Sequence, residues 1–232
     1  MCGYLRRHIS NKDLAEFVQS IDMMHLYKDH PEDPTTQHFY PAFGAAASKQ
    51  IKGLIIQEDD EVKSVDATWW FECKAIEDQL IVDNSLTTFN ARNLSSAYWK
   101  HAIHHNRAIV LATALGEGKE IAGKKLNYFI EGETPLLLGA VYRKFSNNLY
   151  SVAIITRNAH PRFDAYHDKA FPLFLPADSN FLKSWLNPSQ EIPSNIAQLL
   201  ENPKVFNHLK ITPVKTFKNA EVKGLTEYMA PD

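Results

Sequence analysis

The sequence predicts an α+β fold in a single domain over residues 1–232, with a mostly antiparallel, barrel-like sheet at the core and helices at the periphery. Strand-like runs are dense in the middle of the chain, and helical patterns lie toward both ends without strand–helix–strand alternation. We find no linker, low-complexity segment or internal repeat. With 232 residues, 44% of them hydrophobic, the chain can bury a core without disulfide bonds.

The first predicted element is an amphipathic helix over residues 10–22. Apolar side chains recur at helical spacing from Leu14 to Ile21, and Ser10 or Asn11 can cap the helix. Residues 28–41 contain three prolines among acids and histidines, which predicts a loop.

The remaining elements follow from short apolar runs separated by turn residues. Further helices are predicted over 93–105, 181–186 and 196–200. Turn signals occur at 116–118, 132–133 and 146–148. Strands are predicted over residues 53–57, 67–71, 80–82, 107–115, 127–130, 136–145, 150–156, 171–175 and 209–214.

Charge and cysteine content limit the function classes. The 25 Lys and Arg residues against 27 Asp and Glu residues give a net charge of -2, which disfavours a protein that coats nucleic acid non-specifically but allows a local basic groove. Two cysteines exclude a disulfide framework and a cysteine-rich zinc site, so we expect a cytoplasmic protein. No apolar run approaches the roughly 20 residues that span a bilayer, and the first residues do not form a secretory signal. We therefore expect no membrane partner.

Cys2 is the most informative candidate because it directly follows Met1. If Met1 is removed, Cys2 carries a free α-amine beside its thiol, and both groups are partly available as nucleophiles near neutral pH. Such an aminothiol can attack an aldehyde through nitrogen and then close a five-membered thiazolidine through sulfur. The alternative interpretation is a small residue at a frayed terminus.

Other polar residues have weaker patterns. His101, His104 and His105 could share one face of a helix, but the spacing favours a solvated face over a metal site. Glu117 follows a strongly apolar strand, where catalytic carboxylates often lie, although its flanking glycines also suit a hairpin turn. His167 precedes an apolar run, and a lone histidine of this kind is more often structural than catalytic.

Three aromatic residues stand in a row at 69–71. Side chains alternate across a strand, so at least one of them should face away from the core side. An exposed Trp69 or Trp70 could stack on an unpaired base, and the alternative is that all three are core residues.

Together these residues resemble the SRAP family, the SOS response-associated peptidases or abasic-site processing proteins. Residues 1–3 match the family's initial Met-Cys-Gly, and Asn90 begins its Asn-Ala-Arg motif. Residues 107–119 align without a gap with a third motif and place Glu117 on the family's glutamate. His167 falls on the family's histidine, and the likeness extends to the tail at 211–219.

The resemblance implies an SRAP-like fold and an enzyme that captures abasic sites in single-stranded DNA without metal or organic cofactor. We expect a monomer, because none of the segments shows a heptad pattern. The resemblance also implies Cys2, Asn90, Glu117 and His167 as catalytic residues. The implied DNA-binding residues are Arg92, Trp69, Trp70, Arg162 and Lys169.

The sequence also departs from the family pattern. Tyr4 replaces an Arg, residues 69–71 replace a Trp-Gly-Leu-Ile-Pro motif, and 169–172 replace Arg-Met-Pro with one extra residue. We therefore expect this chain to share the family's catalytic chemistry more closely than its DNA contacts. Two alternatives stay open, a thiol peptidase or autopeptidase acting on proteins and a DNA-binding module of the same fold that has lost the chemistry.

Overall fold

The computed structural model describes residues 3–27, 35–45, 49–189 and 191–232. Within these residues the chain forms four helices and thirteen strands. The helices are α1 (Asn11–Ser20), α2 (Ala97–His105), α3 (Ser179–Leu186) and α4 (Ser194–Glu201). The strands are β1 (Leu5–Ile9), β2 (Thr35–Phe39), β3 (Gln50–Glu58), β4 (Glu61–Thr68), β5 (Cys73–Ile76), β6 (Gln79–Val82), β7 (Asn90–Ala91), β8 (Arg107–Ile121), β9 (Lys124–Lys144), β10 (Tyr150–Arg157), β11 (Phe171–Pro172), β12 (Leu209–Val214) and β13 (Glu227–Met229).

Five strands close into a barrel-like sheet in the order β8, β9, β10, β4, β3 and back to β8. Most neighbours are antiparallel, whereas β10 runs parallel to β4 through the Ser151–Thr68 pair and parallel to β7. The predicted α+β class with a mostly antiparallel, barrel-like sheet is therefore confirmed. The single-domain boundary at 1–232 stays a prediction.

Alternating side chains along the barrel strands form two hydrophobic layers. Val110 on β8 and Leu138 on β9 belong to one buried cluster, and their neighbours Leu111 and Leu137 belong to another. The second cluster also contains apolar side chains from all four helices, for example Leu14 of α1. This alternation is what a two-residue strand repeat produces when both faces of a sheet are covered.

Strands β8 and β9 continue beyond the barrel as a long arm. A register irregularity between Ala112 and Ala114 separates the barrel part of the β8–β9 ladder from this arm. Past this point β1 pairs with β8 through Leu5 and Leu115, and β12 pairs with β9. The arm therefore lies at the centre of a second layer of strands, and it carries Glu117.

Two predicted turns are wrong because they lie inside strands. Residues 116–118 belong to β8 and residues 132–133 belong to β9, which runs without a break from Lys124 to Lys144. The actual hairpin turn is at Ala122 and Gly123, whose φ angles are 49° and 75°. Gly116 is required for close packing rather than for a turn, because a Cβ there would lie 2.7 Å from the Phe217 ring.

The predicted N-terminal helix is confirmed, with Ser10 as its cap. The predicted loop at 28–41 is partly wrong, since residues 35–39 form β2 paired with β1, and residues 28–34 lie outside the described residues. The predicted strand at 67–71 ends at Thr68.

Candidate active site

Glu117 and His167 lie together in the interior of the protein. Glu117 is 1% exposed and His167 is 5% exposed, and the Glu117 Oε2 atom is 3.5 Å from the His167 Nδ1 atom. The same Nδ1 atom lies 2.8 Å from the carbonyl oxygen of Gly118. A carbonyl oxygen can only accept, so Nδ1 carries a proton in this contact, and Nε2 is the basic nitrogen whenever the ring is neutral.

The position of Glu117 follows from the arm strand. Glu117 pairs with Tyr128 of β9 in the middle of the β8–β9 ladder, which holds its backbone rigidly. Burial raises the pKa of the Glu117 carboxyl above its usual value, and the charge of His167 partly opposes this shift. A carboxyl of this kind can hold or release a proton closer to neutral pH than an exposed glutamate can.

His167 is held by a loop that is fastened at several points. The His167 amide donates to the Phe163 carbonyl oxygen at 2.8 Å, and Phe163 is fully buried. The Tyr166 hydroxyl donates to Glu227 Oε2 at 2.5 Å, which ties the loop to β13. The loop is thus fixed to the C-terminal segment next to the histidine.

The N-terminal end of the described chain lies beside Glu117. The Gly116 amide donates to the carbonyl oxygen of Tyr4 at 3.0 Å, and Leu5 pairs with Leu115. The predicted nucleophile Cys2 lies outside the described residues. Gly3, the residue bonded to it, is the first described residue.

Tyr4 occupies the position where the family pattern has an arginine. Its side chain is 1% exposed, its ring is stacked on Phe217 with a centroid distance of 5.3 Å, and its hydroxyl lies 2.8 Å from His38 Nδ1. Tyr4 is therefore a packing residue that fastens β1 to the arm. It offers no cation to a ligand.

Asn90 forms β7 with Ala91 and is half-buried. It pairs with Ile154 of β10, so its backbone is fixed to the barrel. Arg92 follows on the surface, and its side chain lines a cavity. The role of Asn90 stays a prediction.

The expectation that Trp69 or Trp70 stacks on an unpaired base is wrong for this structure, because both indoles are core residues. Trp69 is 0% and Trp70 is 2% exposed, and their ring nitrogens donate to the carbonyl oxygens of Phe89 and Asp83. The chain leaves the strand after Thr68, so the alternation that would expose one of them does not apply.

Sequence reasoning missed Phe43, an exposed aromatic residue that packs against Trp70. Phe43 is 52% exposed, and its ring lies edge-on to Trp70 and to Phe89 at centroid distances of 5.1 Å. A Pro-Ala-Phe-Gly turn just after a strand is the signal that could have found it.

The two other basic candidates differ. Arg162 is already paired, since its guanidinium lies 2.6 Å from Asp232 Oδ1 and donates to the carbonyl oxygen of Ala230 at 2.6 Å. Arg162 therefore fastens the His167 loop to the C-terminal residues, and its phosphate contact stays a prediction. Lys169 is exposed on that loop, and its DNA contact stays a prediction.

We predict a pH-dependent stability difference for Glu117→Gln. Burial raises the folded-state pKa of Glu117 above 4.5, so the folded protein binds more protons than the unfolded chain in the window between these values. The wild-type free energy of unfolding should fall as pH rises through this window, and the neutral amide should remove that loss. Urea unfolding at several pH values should show the variant to be more stable at neutral pH, with the difference vanishing below about pH 4.5.

A matched control is Glu120→Gln on the same strand, because Glu120 is exposed. If Glu117→Gln has the same stability difference at pH 4 as at pH 8, the raised pKa is not a property of the folded protein.

Comparison with known proteins shows which family the chain belongs to. The family model described as SOS response associated peptidase (SRAP) matches residues 1–220. The chain therefore belongs to the SRAP family, as the sequence motifs predicted. A comparison with curated proteins finds no match.

Solved structures from two bacteria share the fold. A phage-related protein from Bordetella bronchiseptica is 18% identical with a TM-score of 0.62, covering 93% of this chain and 95% of its own. A second protein from the same organism is 15% identical with a TM-score of 0.60, covering 93% and 100%. A protein from Bacteroides thetaiotaomicron is 18% identical with a TM-score of 0.57, covering 91% and 92%.

Membership in a family associated with the SOS response gives the chain a role related to DNA damage. In the part of the chain that the structure describes, none of the helices has both the length and the apolar character needed to cross a membrane.

Proposed function

We propose that this protein captures abasic sites in single-stranded DNA as a covalent link through Cys2 after Met1 is removed. The observation that carries the proposal is the buried Glu117–His167 pair beside the N-terminal end of the described chain, with 3.5 Å between carboxylate and imidazole. A carboxyl and an imidazole within this reach can serve as the proton donor and acceptor that the reaction needs.

The chemistry proceeds in two bond-forming steps. The Cys2 α-amine attacks the C1′ aldehyde of the ring-opened deoxyribose, and loss of one water gives a Schiff base. The thiol sulfur then adds to the imine carbon, its proton passes to the nitrogen, and a thiazolidine ring closes. Neither step needs an oxidant, a metal or a second substrate.

Each proton transfer has a candidate residue. Glu117 follows Gly116, whose amide donates to the Tyr4 carbonyl oxygen near the described chain end, so we assign Glu117 the proton of the α-amine and the water that leaves. His167 has Nε2 as its basic nitrogen, and we assign it the proton transfer that opens the sugar ring. Asn90 would hold the sugar or the Cys2 backbone, and Arg92 and Lys169 would contact phosphates.

The direct test compares oligonucleotides that differ only in the aldehyde. One contains an abasic deoxyribose, a second contains the tetrahydrofuran analogue that cannot open to an aldehyde, and a third is undamaged. We expect a denaturant-stable protein–DNA adduct with the first and none with the others. An adduct with the analogue, or none with the abasic strand, would show the proposal to be wrong.

We predict that a DNA base stacks on Phe43 and not on the buried Trp69 or Trp70. Its exposed ring rests on the buried Trp70 and Phe89, so a base could stack on it without reorganisation of the core. Replacement of Phe43 by alanine should weaken binding of undamaged single-stranded DNA by about 1–3 kcal/mol, the usual value of one base–aromatic stack. Fluorescence anisotropy measures this change.

Leu225→Ala provides the control, because Leu225 is 88% exposed and lies in another part of the fold. Equal affinities for Phe43→Ala and wild type would exclude a stacking role.

The description of the family as a peptidase favours one second candidate, a cysteine-type peptidase. In that reaction the Cys2 thiol would be the nucleophile, with Glu117 and His167 as its acid and base. Cleavage of a protein substrate other than the bond after Met1 would support it, whereas an adduct confined to abasic DNA supports the first proposal.

A further inference from the structure

A second site lies in a cavity of about 650 Å³ bounded by the residues after β7, helix α2, the end of β10 and helix α4. Its lining includes four basic side chains, those of Arg92, Lys100, His104 and Arg157, together with the hydroxyl of Ser95. Among the described residues that line the cavity, none is an aspartate or a glutamate. In a chain of net charge -2, this concentration of basic groups is a local feature.

The Arg157 guanidinium is held in place before any ligand binds. The Arg157 guanidinium donates through Nε to the Leu200 carbonyl oxygen at 2.6 Å and through NH1 to the Arg92 carbonyl oxygen at 3.1 Å. Arg92 and Lys100 form no ion pair with any carboxylate among the described residues. Their charges are thus available to an incoming anion.

Electrostatic repulsion inside this cluster favours an anion. Burial, followed by the positive charge of Arg92, lowers the pKa of Arg157, and the carboxylate of Glu201 opposes the shift only in part. An anion between the two guanidinium groups would offset this repulsion. Arginine offers several N–H donors in a planar fork that matches a phosphate group.

We propose that this cavity binds a phosphate group. Resting on the proposed function, we assign that phosphate to the backbone of the strand that reacts at Cys2. Arg92 follows Asn90 by two residues, and Arg157 ends the strand from which the chain continues to His167. Arg92 and Arg157 therefore lie close along the chain to the predicted site residues Asn90 and His167.

The test uses Lys100→Glu, because Lys100 is exposed on α2 and its replacement should not disturb the core. Lys12→Glu is the matched control, since Lys12 is exposed on α1 and does not line the cavity. Binding of undamaged single-stranded DNA is measured over a range of salt concentrations. We expect Lys100→Glu to weaken binding by about tenfold and to reduce the salt dependence by about one phosphate contact, and Lys12→Glu to change neither.

A second experiment distinguishes the source of the phosphate. Inorganic phosphate is titrated into isotope-labelled wild type and Lys100→Glu, and the amide resonances of α2 and residues 92–95 are followed. Shifts in wild type alone, with weaker DNA binding by the variant, support the proposal. Phosphate-dependent shifts with unchanged DNA binding overturn the assignment to a strand, and unchanged DNA binding without any phosphate response overturns the site itself.

Failure of this inference can be told apart from failure of the proposed function. Binding of undamaged DNA requires no aldehyde and no Cys2. If wild type forms no adduct but Lys100→Glu still weakens DNA binding, the covalent proposal fails and the phosphate site stands. If the adduct forms, both lysine variants bind DNA like wild type and phosphate causes no shifts, the phosphate site fails alone.

Discussion

Replacement of Cys2 by alanine should abolish the denaturant-stable adduct with abasic single-stranded DNA, whereas replacement of Cys73 by alanine should leave it intact. The alanine variant at position 2 still has an α-amine, so it can form a Schiff base, but without a thiol it cannot close the thiazolidine. The Schiff base hydrolyses under denaturing conditions unless it is reduced. Gel electrophoresis with and without a reductant such as borohydride measures both species.

Cys73 is a suitable control because its thiol is inert in this structure. It is 3% exposed, its sulfur lies 3.2 Å from the Trp70 carbonyl oxygen, and burial raises the pKa of its thiol to about 12. A thiol that stays protonated and inaccessible is not a nucleophile at neutral pH. If Cys2→Ala and wild type give equal amounts of stable adduct, the proposed chemistry is excluded.

Loss of either member of the buried acid–base pair should slow adduct formation without removing the nucleophile. Glu117→Gln and His167→Asn keep the approximate shape of each side chain but cannot transfer the proton. A positioned acid or base typically contributes about 10²–10⁴-fold to a rate, and we expect a loss in this range for each variant. Single-turnover rates of adduct formation, measured against pH, would show it.

Two neighbouring variants serve as controls for these measurements. Glu120→Gln and Asp168→Asn alter exposed residues next to the pair, and both should retain the wild-type rate. Burial raises the pKa of Glu117, so any acidic limb of the wild-type profile due to this carboxyl should lie above pH 4.5 and be absent in Glu117→Gln. A rate within twofold of wild type for both Glu117→Gln and His167→Asn would contradict the assigned roles.

The barrel could be predicted from the sequence because its strands are apolar on both faces and its turns contain ordinary turn residues. Residues 107–115 and 150–156 are nearly continuous apolar runs, and both lie in barrel strands. The arm was harder to predict. The glycines at 116 and 118 suggest a turn, but Gly116 makes room for the Phe217 ring, a contact between residues far apart in the chain.

Short strands that depend on long-range pairing also escaped prediction. Strand β1 lacks a clear apolar alternation, and it is held by Leu115 on one side and by β2 on the other. Strand β2 lies in a segment whose prolines and charges resemble a loop. In both cases tertiary pairing overrides local propensity.

The candidate site was only partly predictable for a similar reason. Family motifs identified Glu117 and His167, but their meeting at 3.5 Å and their burial depend on the arm and on a loop fastened to the C-terminal segment. The order of residues gave no sign that Trp69 and Trp70 are buried or that Arg162 is paired with Asp232. The cavity at Arg157 joins residues from four separate parts of the chain, which no local motif records.

Intact mass spectrometry of the purified protein, before and after reaction with an abasic oligonucleotide, tests the central claim most directly. The account predicts a starting mass without Met1 and a product mass equal to protein plus oligonucleotide minus one water, with the modification mapped to Cys2. A reactive protein that retains Met1, or an adduct mapped to any other residue, would contradict it.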